Sequence, residues 1–428
     1  MKDGSEMPQE RKPLDLTIIG AGMIVNDLIL PAAMQCRREG WVGEITVVGQ
    51  RASSQKALRE NAELTAAFPG ETFNALPDPD GEDSRDPELY KKVLAEKDPY
   101  NLVIVALPDD MHFRTVMDVL SFNQHVLCVK PLVLKYEEAR IIEEEARRRR
   151  CFVGVEYHKR FDRRNLLARK HYRNGDLGEF VLGQARLMEP YYYRHSNFQN
   201  WFTCDKTDPF VYVGCHYVDL VCFITGLKPC EVSVNGRPGK FPNGNTGYMW
   251  TDARVIFENG ALLSVVNGLG YPDDAGGGND QGITMFFEGD DCSGILAHDD
   301  QFRGVEGLFV RNQAKRFQYE NPDFNRFLPY EGEGLKPVGY GVESIVATAS
   351  TVSRMEAEAA ADPARSAEIR LENIDRVNDH GIIVTPANAR YNELVQEAAR
   401  LSLANNGDYA VIDWSGEEPR VRLRHEKF

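Results

Sequence analysis

The stretch Leu14-Asp-Leu-Thr-Ile-Ile-Gly20-Ala-Gly22-Met23-Ile24-Val25-Asn-Asp-Leu-Ile-Leu30 decides the fold. A β-branched apolar run stops at a Gly-x-Gly turn and resumes with apolar residues at helical spacing. It reads as a strand, a tight turn and a helix N-terminus. Gly20 can take the positive φ of that turn, and Gly22 lacks the Cβ that would keep a phosphate off the backbone. The helix beginning there turns unpaired N–H groups and a positive dipole end toward an anion. Gly20, Gly22, Met23 and Ile24 are therefore candidate contacts for the pyrophosphate of a dinucleotide. Val25 stands where the usual fingerprint has a third Gly or Ala, so an ordinary strand-to-helix turn stays open as the alternative.

Outward from this stretch the same rhythm repeats. Apolar strands over 44–48, 102–106, 125–128 and 152–156 alternate with helices over 26–38, 54–67, 87–96, 112–122 and 136–149. Such alternation predicts βαβ units with right-handed crossovers and a parallel sheet buried on both faces. After residue 157 comes a helix over 165–174, and then extended segments accumulate over 180–188, 231–236, 248–258, 261–267, 283–288 and 292–297. One helix, 216–225, interrupts them, and a further helix covers 341–360. The predicted architecture is α/β: an N-terminal Rossmann domain (14–155), then an α/β domain with a large, mainly antiparallel open sheet (156–361). Residues 1–13 read as a flexible tail. Residues 362–428, with an amphipathic helix over 388–403, form a C-terminal extension that could cover a sheet edge, reach a neighbouring subunit or help close the site.

A hydrophobic content of 42% over 428 residues supports more than one core. The net charge of −15 argues against a sequence-independent nucleic-acid binder, which needs a basic surface. The basic run Arg147–Arg150 follows three glutamates and reads as a solvated helix end. No apolar run approaches the roughly 18 residues of a membrane span, and the first residues carry no signal-peptide pattern. Eight cysteines without C-x-x-C spacing read as reduced thiols, which argues against a metal site and for a cytoplasmic location.

Four segments carry candidate chemistry. After the second strand, where NAD-binding folds place an acid on the ribose, stand Gln50 and Arg51. Gln50 could bond a ribose hydroxyl, and Arg51, with Ser53 and Lys56, could meet a 2′-phosphate; a plain surface arginine is the alternative. Pro108 and His112 follow another strand, at the end that lines the crevice of a parallel sheet, although His112 would equally serve as a helix N-terminal residue. Lys130, fixed by Pro131, would face the crevice half-buried, its pKa lowered by desolvation, or would be a surface lysine in a turn. His216 and Asp219 lie three apart and share a helix face, so Asp219 could orient the imidazole; a capping histidine beside a surface aspartate fits as well.

Taken together, Gly-x-Gly, Pro108…His112, Cys-Val-Lys130-Pro, Tyr157-His158-Lys159-Arg160-Phe and Gly214-Cys-His216-Tyr-Val-Asp219 resemble the glucose–fructose oxidoreductase and inositol dehydrogenase (Gfo/Idh/MocA) family over about residues 14–300. The resemblance implies NAD or NADP as cofactor, with NAD favoured, and oxidation of a secondary alcohol of a sugar, glycoside or cyclitol. It also implies a homodimer or homotetramer built on the open sheet. The family's Glu-Lys-Pro maps to Val129-Lys130-Pro131, and its Asp-x-Gly-x-His to Tyr212-Val-Gly214-Cys-His216. Both basic residues are kept and both acids are lost.

On this reading His216 is the general base, Asp219 orients it, Lys130 stabilises alkoxide charge, and the Tyr212 hydroxyl can bond substrate or Lys130. Substrate recognition falls to Tyr157, His158, Lys159, Arg160, Tyr193, Arg194 and Trp201, with His216; sheet packing is the alternative for the tyrosine run. Gly276–Asp280 would be a mobile loop over the site or an exposed hairpin. The rival functions are a redox-neutral, NAD-dependent glycosidase and a dinucleotide-binding regulator without turnover.

Overall fold

Strand β1 (Leu14–Ile19) occupies the middle of a parallel sheet with β2 (Val42–Val48), β3 (Asn74–Leu76), β4 (Leu102–Val105), β5 (His125–Val129) and β6 (Val153–Glu156). The spatial order is β3-β2-β1-β4-β5-β6 in a computed structural model that describes residues 12–275, 278–290, 293–299, 306–311, 313–318 and 324–426. The order reverses between β1 and β4, and such a switch point opens a ligand crevice at the carboxyl ends of the strands. Leu16, Ile18, Val103 and Ile104 are buried because helices cover both faces, which is why these strands read as continuous apolar runs. Residues 1–11 of the expected tail, Gly276, Gly277 and Cys292 lie outside the described residues.

The second sheet joins β7 (Glu179–Pro190), β8 (Pro229–Lys240), β9 (Thr246–Phe257), β10 (Leu262–Tyr271), β11 (Asp280–Glu288) and β12 (Ser293–Asp299). A hairpin, β13 (Glu306–Arg311) and β14 (Gln313–Gln318), and a short pair, β15 (Arg326–Leu328) and β16 (Lys336–Val338), stand apart from it. The large sheet ends in β17 (Ala410–Asp413) and β18 (Arg420–Leu423), giving the order β12-β11-β7-β10-β9-β8-β17-β18. Its pairs are antiparallel except for β7 with β10. Alternate residues of β9 are buried, so one face packs on helices Cys215–Thr225 and Tyr391–Ala404. The opposite face exposes Leu182, Trp250, Val266, Phe286 and Ile295.

Of the roles left open for the extension, the structure shows edge cover: β17 pairs with β8, and Val384 bridges to Val155 of β6. Helix Tyr340–Ala361 buries Val342, Ile345, Val352 and Met355 in one cluster with Leu28, Ile29 and Leu30 of the first sheet's flank. The helix expected over 54–67 is two helices, Ala52–Arg59 and Ala62–Ala67, because the Asn61 side chain accepts from the Leu64 N–H (3.0 Å) and starts a new one. Helix Ser366–His380 escapes sequence reading because its apolar stripe is thin among charges.

Candidate active site

Gly20 has φ +123°, and a Cβ there would stand 2.1 Å from the Ala106 carbonyl oxygen, so no other residue fits. A Cβ on Gly22 would meet nothing within 4 Å. This open space in front of a helix start is the cradle that a pyrophosphate needs, and the residues fit the group. Val25 is wholly buried in a π-helical first turn, Val25–Ile29, that leads into helix Leu30–Arg38. Met23 is exposed on the rim, where the Tyr192 hydroxyl approaches its sulfur at 4.0 Å, and Ile24 is half-buried.

Opposite this turn lies the end of β7. Between them a cleft of about 440 Å³ is lined by Asn26 and Asp27 on one side and Glu189, Tyr192, Tyr193 and Gln281 on the other. Lys130, half-buried after β5, donates from Nζ to the Tyr212 carbonyl, and its ammonium sits 3.8 Å from the centre of the Tyr212 ring. Tyr212 thus holds the lysine through its carbonyl and ring face rather than its hydroxyl. Its ring is wedged among Phe198, Trp201 and Phe202 at 5.2–5.8 Å. The Lys159 ammonium is buried and donates to Gln281 Oε1.

His216 is 3% exposed and its Nδ1 is buried with no hydrogen-bond partner. Burial and the neighbouring His158, Lys130 and Lys159 all disfavour its charged form, so its pKa lies well below the ordinary value. The ring is a neutral imidazole at pH 7. His158 lies against it at 4.6 Å, and is fixed by the Glu156 carboxylate (2.8 Å), which in turn accepts from Ser344 Oγ (2.8 Å).

Several expected roles are corrected. Asp219 does not orient His216: it takes Arg160 Nε (2.8 Å) and Nη2 (2.6 Å) in a bidentate pair and accepts from Asn392 Nδ2 (2.8 Å). Arg160, 2% exposed, is consumed by that pair, by the Gly381 carbonyl and by the Tyr391 hydroxyl, so it does not reach substrate. Tyr157 is likewise core, its hydroxyl bonded by Gln396 at 3.4 Å. His112 is wholly buried; its ring nitrogens meet the Pro131 (2.7 Å) and Leu107 (2.8 Å) carbonyls, so it clamps the loops carrying Pro108 and Lys130 instead of touching a cofactor. Burial opposes charge on that ring, but Cys128, Asp109 and the Leu107 carbonyl outweigh it and push its pKa up to about 10. Arg194 donates to the Leu269 carbonyl and lies 5.7 Å from the centre of the Trp250 ring, at the open sheet face. Trp201 packs in the aromatic cluster behind Tyr212.

Two acids that the sequence reading passed over surround Lys130. Glu189, half-buried at the end of β7, has its pKa raised to about 7 by burial, against the pull of Lys130, Lys159 and the Asn279 amide. Asp109, buried and bonded by Thr207 Oγ1 (3.1 Å), is raised by burial against His112 and Lys130. The same two ammonium groups act on both Glu189 and His216. The available signal was Met188-Glu189-Pro190, a carboxylate closing an alternating strand just before a proline. Among the described residues no group of three or more His, Cys, Asp or Glu could hold a metal, and no helix is long and apolar enough to cross a membrane.

A switch-point Rossmann crevice facing an open sheet defines a two-part dinucleotide fold. The model of an oxidoreductase family with an NAD-binding Rossmann fold matches residues 14–157, and that of the GFO/IDH/MocA C-terminal domain matches residues 166–288. The chain belongs to the GFO/IDH/MocA family of oxidoreductases. It is 26% identical over 230 residues to the D-glucoside 3-dehydrogenase of Escherichia coli, covering 53% of this chain and 57% of that protein. An uncharacterised oxidoreductase of Schizosaccharomyces pombe is 30% identical over 145 residues, 32% of this chain and 38% of its own length. The chain thus matches only about a third to just over half of these relatives' length. The scyllo-inositol dehydrogenase of Lactobacillus casei, solved with NAD(H) and scyllo-inositol, shares the fold at a TM-score of 0.64 and 12% identity, over 94% of this chain and 99% of that one.

Proposed function

We propose that this protein is an NAD(P)-dependent oxidoreductase acting on a secondary alcohol of a sugar, glycoside or cyclitol. The observation that carries the reading is that Glu189, which lines a cleft walled on its far side by the glycine-turn helix, is coupled to the Lys130 ammonium, as is His216 behind it. Gly20, Gly22, Met23 and Ile24 would hold the dinucleotide, which supplies a hydride acceptor when bound. The Lys130 ammonium would bind the carbinol oxygen and stabilise the charge that develops there as its proton leaves. Glu189, poised near neutrality, or neutral His216 would take that proton. Tyr193 and Gln281 would orient the ring. Names of relatives that act on glucosides and inositols support this substrate class. By strand register Leu182, Trp250, Val266, Phe286 and Ile295 share one open sheet face, and we read it as the contact between copies of a homo-oligomer.

The deciding experiment is mass spectrometry of the small molecules released on denaturing the purified protein, followed by absorbance of reduced nicotinamide with a panel of sugars and cyclitols. Reduction of added NAD(P) is the expected result. Retained stoichiometric dinucleotide with bond cleavage but no net reduction would instead identify the redox-neutral glycosidase. Failure to bind either dinucleotide would overturn the reading.

A further inference from the structure

A carboxylate from another part of the chain lies beside the end of β2, which lacks an acid of its own. Residues 78–88 fold back over the end of β2, and four bonds strap them there. The Asp86 N–H donates to the Gln50 carbonyl (3.2 Å), Arg85 Nε to Gln50 Oε1 (2.8 Å), and Arg51 Nη1 to the Asp83 carbonyl (3.1 Å). The fourth bond places a charge: the Ser53 N–H, in the first turn of helix Ala52–Arg59, donates to Asp83 Oδ1 at 2.9 Å. Asp83 Oδ2 lies 3.7 Å from Arg51 Nη1. In dinucleotide folds the residue after the second strand selects between a ribose 2′-hydroxyl and a 2′-phosphate, and an arginine there is the phosphate's usual partner. Here that arginine and the adjacent helix N–H already hold a carboxylate.

We propose that Asp83 makes this protein selective for NAD over NADP by occupying, with its own negative charge, the groups that a 2′-phosphate would use. The inference rests on dinucleotide binding at Gly20–Ile24. A 2′-phosphate meets repulsion from Asp83 and finds Arg51 engaged, whereas a 2′-hydroxyl is neutral and can bond to the amide of Gln50. The hydrogen bond from the Ser53 backbone favours the ionised carboxyl and holds its pKa below the usual range, so the charge is present throughout the neutral range. A like charge within about 4 Å of a solvated phosphate corresponds to a preference of roughly five- to tenfold.

The test is titration calorimetry of the full chain with oxidised NAD and with oxidised NADP. The wild type should bind NAD roughly five- to tenfold more tightly. D83N keeps the oxygen that caps Ser53 and removes only the charge, so it should tighten NADP several-fold and leave NAD unchanged. In D83N, adding R51A should abolish the gain, because Arg51 is the cation whose charge D83N leaves unneutralised for the phosphate. Equal affinities in the wild type, tighter NADP, or an NAD/NADP ratio unmoved by D83N would each overturn the proposal while leaving dinucleotide binding intact. Failure to bind either dinucleotide would overturn the proposal and the function on which it rests.

Discussion

Asp219→Asn separates the structural role found here from the catalytic role that the sequence suggests. The carboxylate and the Arg160 guanidinium are 1% and 2% exposed, bonded at 2.6 and 2.8 Å, and Asp219 also takes the Asn392 amide. Replacing the carboxylate with a neutral amide leaves a buried guanidinium without its counter-charge, a change that typically costs about 3–5 kcal/mol. Against a net stability of about 5–15 kcal/mol this is a large fraction, equivalent to a fall in melting temperature on the order of 3–6 °C for a chain of this length. Thermal and urea unfolding of D219N against the wild type measure it. The double variant R160M/D219L, which removes both charges, should recover part of the loss, the remainder being the Gly381 carbonyl, Tyr391 hydroxyl and Asn392 amide left unpaired. A D219N protein that unfolds like the wild type yet loses turnover would refute the reasoning and return Asp219 to the imidazole.

Three further outcomes follow from the site. G20A should be strongly destabilised, by about 1–3 kcal/mol for its positive φ with the backbone clash against the Ala106 carbonyl added to it, whereas G22A should unfold normally but lose dinucleotide affinity by calorimetry. K130M should lower kcat by about 10²–10³, read in steady-state assays with the melting curve unchanged. If Glu189 accepts the proton, kcat should rise with pH through about 7 and lose that limb in E189Q. The linkage runs the other way for stability. Because the folded pKa is raised from 4.5 to about 7, the folded protein keeps a proton that the unfolded chain has released. Stability from this group therefore falls as pH rises across that interval, and E189Q should flatten the decline.

The sequence by itself determined the parallel sheet, the glycine turn, the mainly antiparallel second sheet and the presence of Lys130 and His216. Those features are written in short-range patterns: period-two and period-3.6 apolar spacing, and glycines where a backbone must turn or open. Tertiary structure decided what each charged group faces. Arg160 and Asp219 are 59 residues apart yet consume one another, so neither serves the cleft. Glu189 comes under the influence of Lys130 only because β7 ends opposite the crevice, and Asp83 reaches Ser53 only because its loop crosses β2. The extension's β17 and β18 are four residues each, too short to show a period, and exist because the edge of β8 offers unpaired hydrogen bonds. A charge carries no local period, so its partner is set by which chain segments meet, and the folded packing alone specifies that.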